Sequence, residues 1–129
     1  MSRPLRARID LAALRHNAGI ARSRSGDARI WAVVKADAYG HGLTRTVAAL
    51  DGRVDGFALL ELDAALALRA AGTAAPLLLM EGFYSADEIT AFAEHRLTPV
   101  LHRLDQVRVW SERAVGQPAV LKINTGMNR

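Results

Sequence analysis

The sequence predicts an α/β fold: about five βα units, the N-terminal part of a (β/α)8 TIM-type barrel. Three observations predict it. Short apolar runs centred near residues 32, 58, 78, 99 and 121 are each separated by one helical stretch, the alternation of a parallel sheet. Residues able to do chemistry, Lys35, Glu81, His102 and Lys122, stand at or just after the ends of several of these runs. The first strand-to-helix turn reads Lys-Ala-Asp-Ala-Tyr-Gly and carries no G-x-G-x-x-G. A doubly wound sheet begins with the same alternation, but it would gather its site at one switch point behind a glycine-rich turn. Chemistry spread over the carboxyl ends of successive strands favours the barrel.

Asp10 is placed to cap an amphipathic helix carrying Leu11, Leu14, Ala18 and Ala21, which fades at Ser25-Gly26. Ile30-Trp31-Ala32-Val33-Val34 is an apolar run of strand type. A helix over 44–50 and a strand over 57–60 follow. Residues 61–71 are helical in composition, with Gly72 placed to end them. Leu77-Leu78-Leu79-Met80 does not alternate and predicts a strand buried on both faces. Ser85 and Glu88 form a capping box for a helix running to about His95. Residues 98–101 predict a fourth strand, 105–114 a helix, and Ala119-Val120-Leu121-Lys122-Ile123 a fifth strand.

At 129 residues, half of them hydrophobic, the chain is the size of one small domain with ample material for a core. A barrel needs eight units and roughly 250 residues. Five units therefore imply an unusual open sheet or part of a longer polypeptide, and the exposed edge of an open parallel sheet favours the second. Residues 1–129 are accordingly expected to be one incomplete barrel domain. The formal charge of +4 and a pI near 10.3 would suit nucleic acid. The arginines, however, are scattered, with no basic run interleaved with aromatic residues, so a solvated Arg-rich surface is expected instead. Cysteine is absent, which excludes disulfides, thiolate metal sites and a Cys nucleophile, and no metal is expected. The opening Met1-Ser2-Arg3-Pro4-Leu5-Arg6-Ala7-Arg8 lacks an apolar signal region and no segment approaches a membrane span, so the cytoplasm is expected.

Of the seventeen Lys and Arg residues, only Lys35 and Lys122 are lysine. An ammonium in a dry pocket can lose its proton and act as nucleophile or base, whereas a guanidinium stays charged. Lys35 leaves an apolar strand for a loop, Val33-Val34-Lys35-Ala36-Asp37-Ala38-Tyr39-Gly40-His41-Gly42. It suits Schiff-base chemistry with an aldehyde cofactor, of which pyridoxal phosphate is the common one. Spacing alone reads equally well as a strand-end lysine extended to solvent. Tyr39 is a hydroxyl donor to a phosphate or an ordinary half-buried aromatic. His41, between Gly40 and Gly42, is an acid/base or a hydrogen-bonded structural histidine. Trp31, Trp110 and Met127 read as packing residues.

The segment from Val33 to Gly42 resembles the cofactor-lysine motif of the alanine racemase family, pyridoxal phosphate enzymes built on a barrel plus a β-domain. Four further places carry the resemblance. Arg6-Ala7-Arg8-Ile9-Asp10-Leu11 with Leu14 and Asn17 resembles the family's opening. Gly56-Phe57-Ala58 with Glu61, Ala64, Ala65, Leu68, Arg69 and Gly72 resembles its second unit. Residues 76–82 resemble its third strand, and 122–129 its lysine-to-arginine motif. These places run in order over essentially the whole chain, which corresponds to roughly the first third of a family member, the C-terminal β-domain being absent.

The resemblance implies that Lys35 holds pyridoxal 5′-phosphate and serves as acid or base on one face of the substrate α-carbon. It implies that Tyr39 contacts the cofactor phosphate and that Arg129 reaches the cofactor's phenolic oxygen and the substrate carboxylate. Lys122 resembles a lysine that in some members is carbamylated and pairs with that arginine, a charge-assisted contact. Asn124 stands where the family usually has an aspartate, which removes one negative charge there. The implied activity is interconversion of L- and D-alanine, supplying D-alanine for peptidoglycan, in a homodimer whose partner provides a tyrosine for the other face. The isolated segment, lacking that tyrosine, is expected to be inactive. Competing readings are a broader amino-acid racemase, a diamino-acid decarboxylase, and a non-catalytic pyridoxal phosphate-binding barrel of vitamin B6 balance. The Asp-Ala-Tyr-Gly-His-Gly continuation and the 122–129 motif argue against the last two.

Overall fold

In the computed structural model, which describes residues 4–127, five strands form one parallel sheet in the order β1-β2-β3-β4-β5. The chain runs α1 (Leu11–Arg24), β1 (Trp31–Val33), a short helical turn α2 (Lys35–Tyr39), α3 (Leu43–Leu50), β2 (Gly56–Leu59) and α4 (Leu62–Ala70). It continues with β3 (Leu77–Leu79), a 3-10 turn (Ala86–Glu88), α5 (Ile89–Glu94), β4 (Leu97–Leu101), α6 (Leu104–Arg113) and β5 (Val120–Leu121). Each strand pairs with its successor, Ala32 opposite Phe57, Leu77 opposite Leu97, and Val100 opposite Val120. An order that never reverses is what right-handed βαβ crossovers produce when every helix falls on the same side of the sheet. The arrangement is that of consecutive barrel staves rather than a doubly wound sheet.

The core lies between sheet and helices. Phe57, Leu59, Leu77, Leu79, Leu97 and Leu101 from the strands meet Val47, Leu50, Leu68, Ile89, Phe92 and Trp110 from the helices. Burial alternates along β3, where Leu77 and Leu79 are buried and Leu78 is half-buried. This corrects, at Leu78, the expectation of a strand buried on both faces, since alternate residues of a strand point to opposite faces and only one face of β3 is fully covered; β2 is buried at all four residues. The fifth strand is also shorter than expected, because Val120 and Leu121 pair with β4 alone and both stay exposed. Trp31 lies against Gly56, where an added Cβ would sit 2.5 Å from the indole ring, so its role is packing.

The local signals of the helix ends are realised. Asp10 accepts hydrogen bonds from the backbone N–H groups of Ala12 and Ala13. Ser85 Oγ accepts from Asp87 N and Glu88 Oε2 from Tyr84 N, a variant of the capping box that opens on the 3-10 turn. Arg69 does what no local pattern announces. Its guanidinium donates to the carbonyls of His95, Thr73, Ala75 and Arg96, tying the end of α4 to the turn before β4. Among the described residues, no helix is long and apolar enough to cross a membrane.

Asp55 anchors the approach to β1. Its Oδ2 accepts from Ile30 N and from Arg22 Nη2, each at 2.6 Å. The Ile30 hydrogen bond, then that from Arg22, hold its carboxyl below its ordinary value of 3.8. A depressed carboxyl pKa stabilises the fold above the unfolded-state value, and that stability is lost as pH falls through the folded value. The expected result is a urea midpoint that drops between pH 5 and about pH 3, and drops less in an Asp55→Asn variant. Equal drops in the two proteins would count against this linkage.

Candidate active site

Lys35 begins a segment of unusual backbone. Ala36, Asp37 and Ala38 have φ of 51°, 54° and 53° with ψ of 54°, 44° and 46°, and Tyr39 follows at φ 56°. Those are left-handed helical values, adopted by four consecutive residues none of which is glycine. Each such residue costs roughly 1–2 kcal/mol. The turn is held by bonds from Ala38 N to Val34 O, Gly40 N to Ala36 O and Gly42 N to Asp37 O, and by Leu43 N donating to Asp37 Oδ1. Strain of this kind collects where a functional group must be aimed, because only surrounding contacts can sustain it. Its effect is to turn Ala38 into the core and leave Tyr39 59% exposed. A loop was the expectation for these residues; the turn is helical, but of the opposite hand.

Lys35 and Lys122, far apart in the chain, line one cavity of about 360 Å³ together with Leu60, Met80, Glu81 and Met127. Leu60 directly follows β2, Met80 and Glu81 follow β3, Lys122 follows β5, and Lys35 stands two residues after β1. The cavity is thus built at the carboxyl ends of the strands, where barrel enzymes place their chemistry. Lys122 is fixed at its backbone, its N–H donating to Leu101 O at 2.9 Å, while its side chain is exposed. A cleft of about 390 Å³ lies among the helices, lined by Asp87, Thr90, Arg113 and Gln117 with apolar neighbours. It contains no lysine and no strand-end residue, so size alone does not select the site.

The fourth strand also reaches this rim. His102, directly after β4, places Nε2 3.2 Å from Glu81 O and 3.6 Å from Glu81 Oε2. A carbonyl only accepts, so Nε2 carries the hydrogen in the first contact. Gln106 in α6, 3% exposed, donates from Nε2 to Glu81 O and Phe83 O and accepts at Oε1 from His102 N. Gly82 allows this meeting: it has φ +71°, and a Cβ there would lie 2.7 Å from Val100 O.

The remaining candidates fall elsewhere. Tyr39 is not among the residues lining the lysine cavity. His41 donates from Nδ1 to Ala38 O at 2.9 Å, a structural bond that helps hold the left-handed turn, and it lines a separate cleft with Arg8, Asp10 and Asn17. Met127, read as packing, is 82% exposed and lines the lysine cavity. Asn124 Oδ1 accepts from Gly126 N at 3.0 Å. Arg129 lies outside the described residues.

A family model described as alanine racemase, N-terminal domain, matches residues 9–129. The chain belongs to the alanine racemase family. Alanine racemases of Nitrosomonas eutropha and Nitrosomonas europaea are 54% and 55% identical to it over 131 aligned positions, all of this chain and 36% of theirs. Among solved structures, alanine racemase from Acinetobacter baumannii superposes with a TM-score of 0.87 at 33% identity. That match covers 94% of this chain and 37% of the other. The chain spans about a third of the length of the alanine racemases it matches.

Sequence reasoning marked Glu81 and His102 as strand-end residues but missed Gln106, Leu60 and Met80. The signal for the last two was available, since they are the final residues of the apolar runs 57–60 and 77–80. Gln106 gives none, because a polar residue in the first turns of a helix usually faces water.

Proposed function

We propose that the protein containing this chain interconverts L- and D-alanine with pyridoxal 5′-phosphate, and that residues 1–129 are the incomplete N-terminal barrel domain of that enzyme. The single observation that carries the reading is the convergence of the chain's two lysines on one strand-end cavity. Membership of the alanine racemase family and the likeness to relatives bearing that name support it. The cavity suits the cofactor: about 360 Å³ falls within the range of small-molecule pockets, and its lining pairs primary amines with the apolar Leu60, Met80 and Met127.

When bound, pyridoxal phosphate supplies an aldehyde for an amine and a ring that delocalises the electron pair left by a departing α-proton. Lys35 is the amine that would hold it, Tyr39 would offer its hydroxyl to the phosphate, and Arg129 would bind the phenolic oxygen and the substrate carboxylate. Lys35 Nζ then takes or returns the proton on one face of the alanine α-carbon, a general acid–base role. Lys122, as a carbamate, would offer Arg129 an anion and hold its guanidinium by a charge-assisted pair. Racemisation needs a second proton donor on the opposite face, which a partner subunit of a homodimer supplies. The isolated segment, without that donor, is expected not to racemise.

The test is direct. Incubating the chain with pyridoxal phosphate, reducing with borohydride and mapping peptides is expected to label Lys35. Label confined to Lys122, or no label at all, would overturn the reading.

A further inference from the structure

Glu81 is the single acid among the residues lining the lysine cavity. Its side chain is 45% exposed, while its backbone position is set from three directions. Its carbonyl accepts from His102 Nε2 and from Gln106 Nε2, and the same imidazole nitrogen stands beside its carboxylate. The side chain of Gln106 joins the ends of β3 and β4 through Glu81 O, Phe83 O and His102 N. Gly82 closes the third side, since a Cβ there would meet Val100 O at 2.7 Å and Gln106 Nε2 at 3.0 Å.

Two lysines in one cavity, with Lys122 as the free amine, attract an anionic ligand without saying which way round it lies. A carboxylate placed on one rim breaks that symmetry, because like charges several ångströms apart in a partly wet site repel enough to change binding several-fold. We propose that Glu81 is a specificity-determining residue of the lysine cavity, its backbone placed by Gln106 and His102 so that its carboxylate stands on that rim and a phosphorylated aldehyde lies with its anionic end away from the β3–β4 rim and its carbonyl beside Lys35. The proposal rests on the reading of Lys35 as the amine that takes pyridoxal phosphate.

The experiment compares two aldehydes that differ in the phosphate, pyridoxal 5′-phosphate and pyridoxal, on the full chain. Each is titrated, reduced with borohydride and mapped, giving an apparent affinity and the division of label between Lys35 and Lys122. In Glu81→Gln the apparent affinity for the phosphorylated aldehyde is expected to rise about threefold or more relative to pyridoxal. Its label should also spread from Lys35 to Lys122, since the orientation is no longer imposed. Glu81→Asp, which keeps the charge, should hold the wild-type ratio, and far-UV circular dichroism checks that both variants fold alike. A Glu81→Gln ratio that is unchanged or lowered, or a label that stays where it was, overturns the proposal while leaving Lys35 its role. Absence of label on Lys35 in the unaltered chain instead overturns the reading of the cofactor amine, and this proposal with it.

Discussion

Lys35→Ala is expected to lower alanine racemisation, in a full-length enzyme carrying this segment, by at least about a thousandfold, the upper range of what one positioned acid–base group contributes. The same change should abolish the borohydride-reducible adduct, since no other amine stands at the end of β1. Lys35→Arg should be as inactive as the alanine variant. A guanidinium keeps the positive charge but offers neither a free amine for an aldehyde nor a group that gives up its proton near neutral pH. Lys122→Ala separates the two lysines of the cavity: adduct formation at Lys35 should survive, with any loss falling on turnover. A D-amino-acid oxidase coupled assay reads turnover, and absorbance of the adduct reads cofactor loading. An alanine variant at position 35 that stays yellow and reducible would remove the basis for assigning this amine.

Phe92→Ala should cost about 3–5 kcal/mol of folding stability, the usual range for emptying a buried phenylalanine site. Phe92 is 1% exposed and meets both neighbours edge-on, Phe83 at 6.4 Å and Trp110 at 5.9 Å between ring centroids. Phe83 and Trp110 stack on one another at 6.1 Å, so the three rings form one cluster behind the β3–β4 rim. Little can collapse into the space, because a cluster of rigid rings has no flexible side chain to follow the cavity. Total stability of a domain is only about 5–15 kcal/mol, so the variant should be largely unfolded or have its urea midpoint strongly lowered. Trp110 fluorescence offers a direct probe of that transition. A shift below about 1 kcal/mol, far under the usual cost, would mean that the cluster is looser than its geometry implies.

These two substitutions act on different levels of the molecule, and both were partly visible in the chain. Lys35 was conspicuous because lysine is rare here and this one leaves an apolar strand for a polar turn. The aromatic cluster was less so: Trp110 read as packing, but nothing local paired it with Phe83 and Phe92. The hand of the turn after Lys35 was not legible either. Ala36, Asp37, Ala38 and Tyr39 all favour right-handed or extended backbone, and their opposite conformation is maintained by contacts with Val34, His41 and Leu43.

The sequence by itself determined the succession of strands and helices, the caps at Asp10 and Ser85, and the placing of Lys35, Glu81, His102 and Lys122 at strand ends. Those features follow from periodicity and from hydrogen bonds between near neighbours, which a few consecutive residues suffice to specify. Tertiary structure decided which of those residues meet. The two lysines share a cavity because parallel pairing brings five carboxyl ends to one rim. Glu81 joins them at that rim, where Gln106, in a later helix, satisfies its own buried amide on the carbonyls of Glu81 and Phe83. A buried polar group must find a partner wherever the fold supplies one, and that partner is set by space rather than by spacing along the chain.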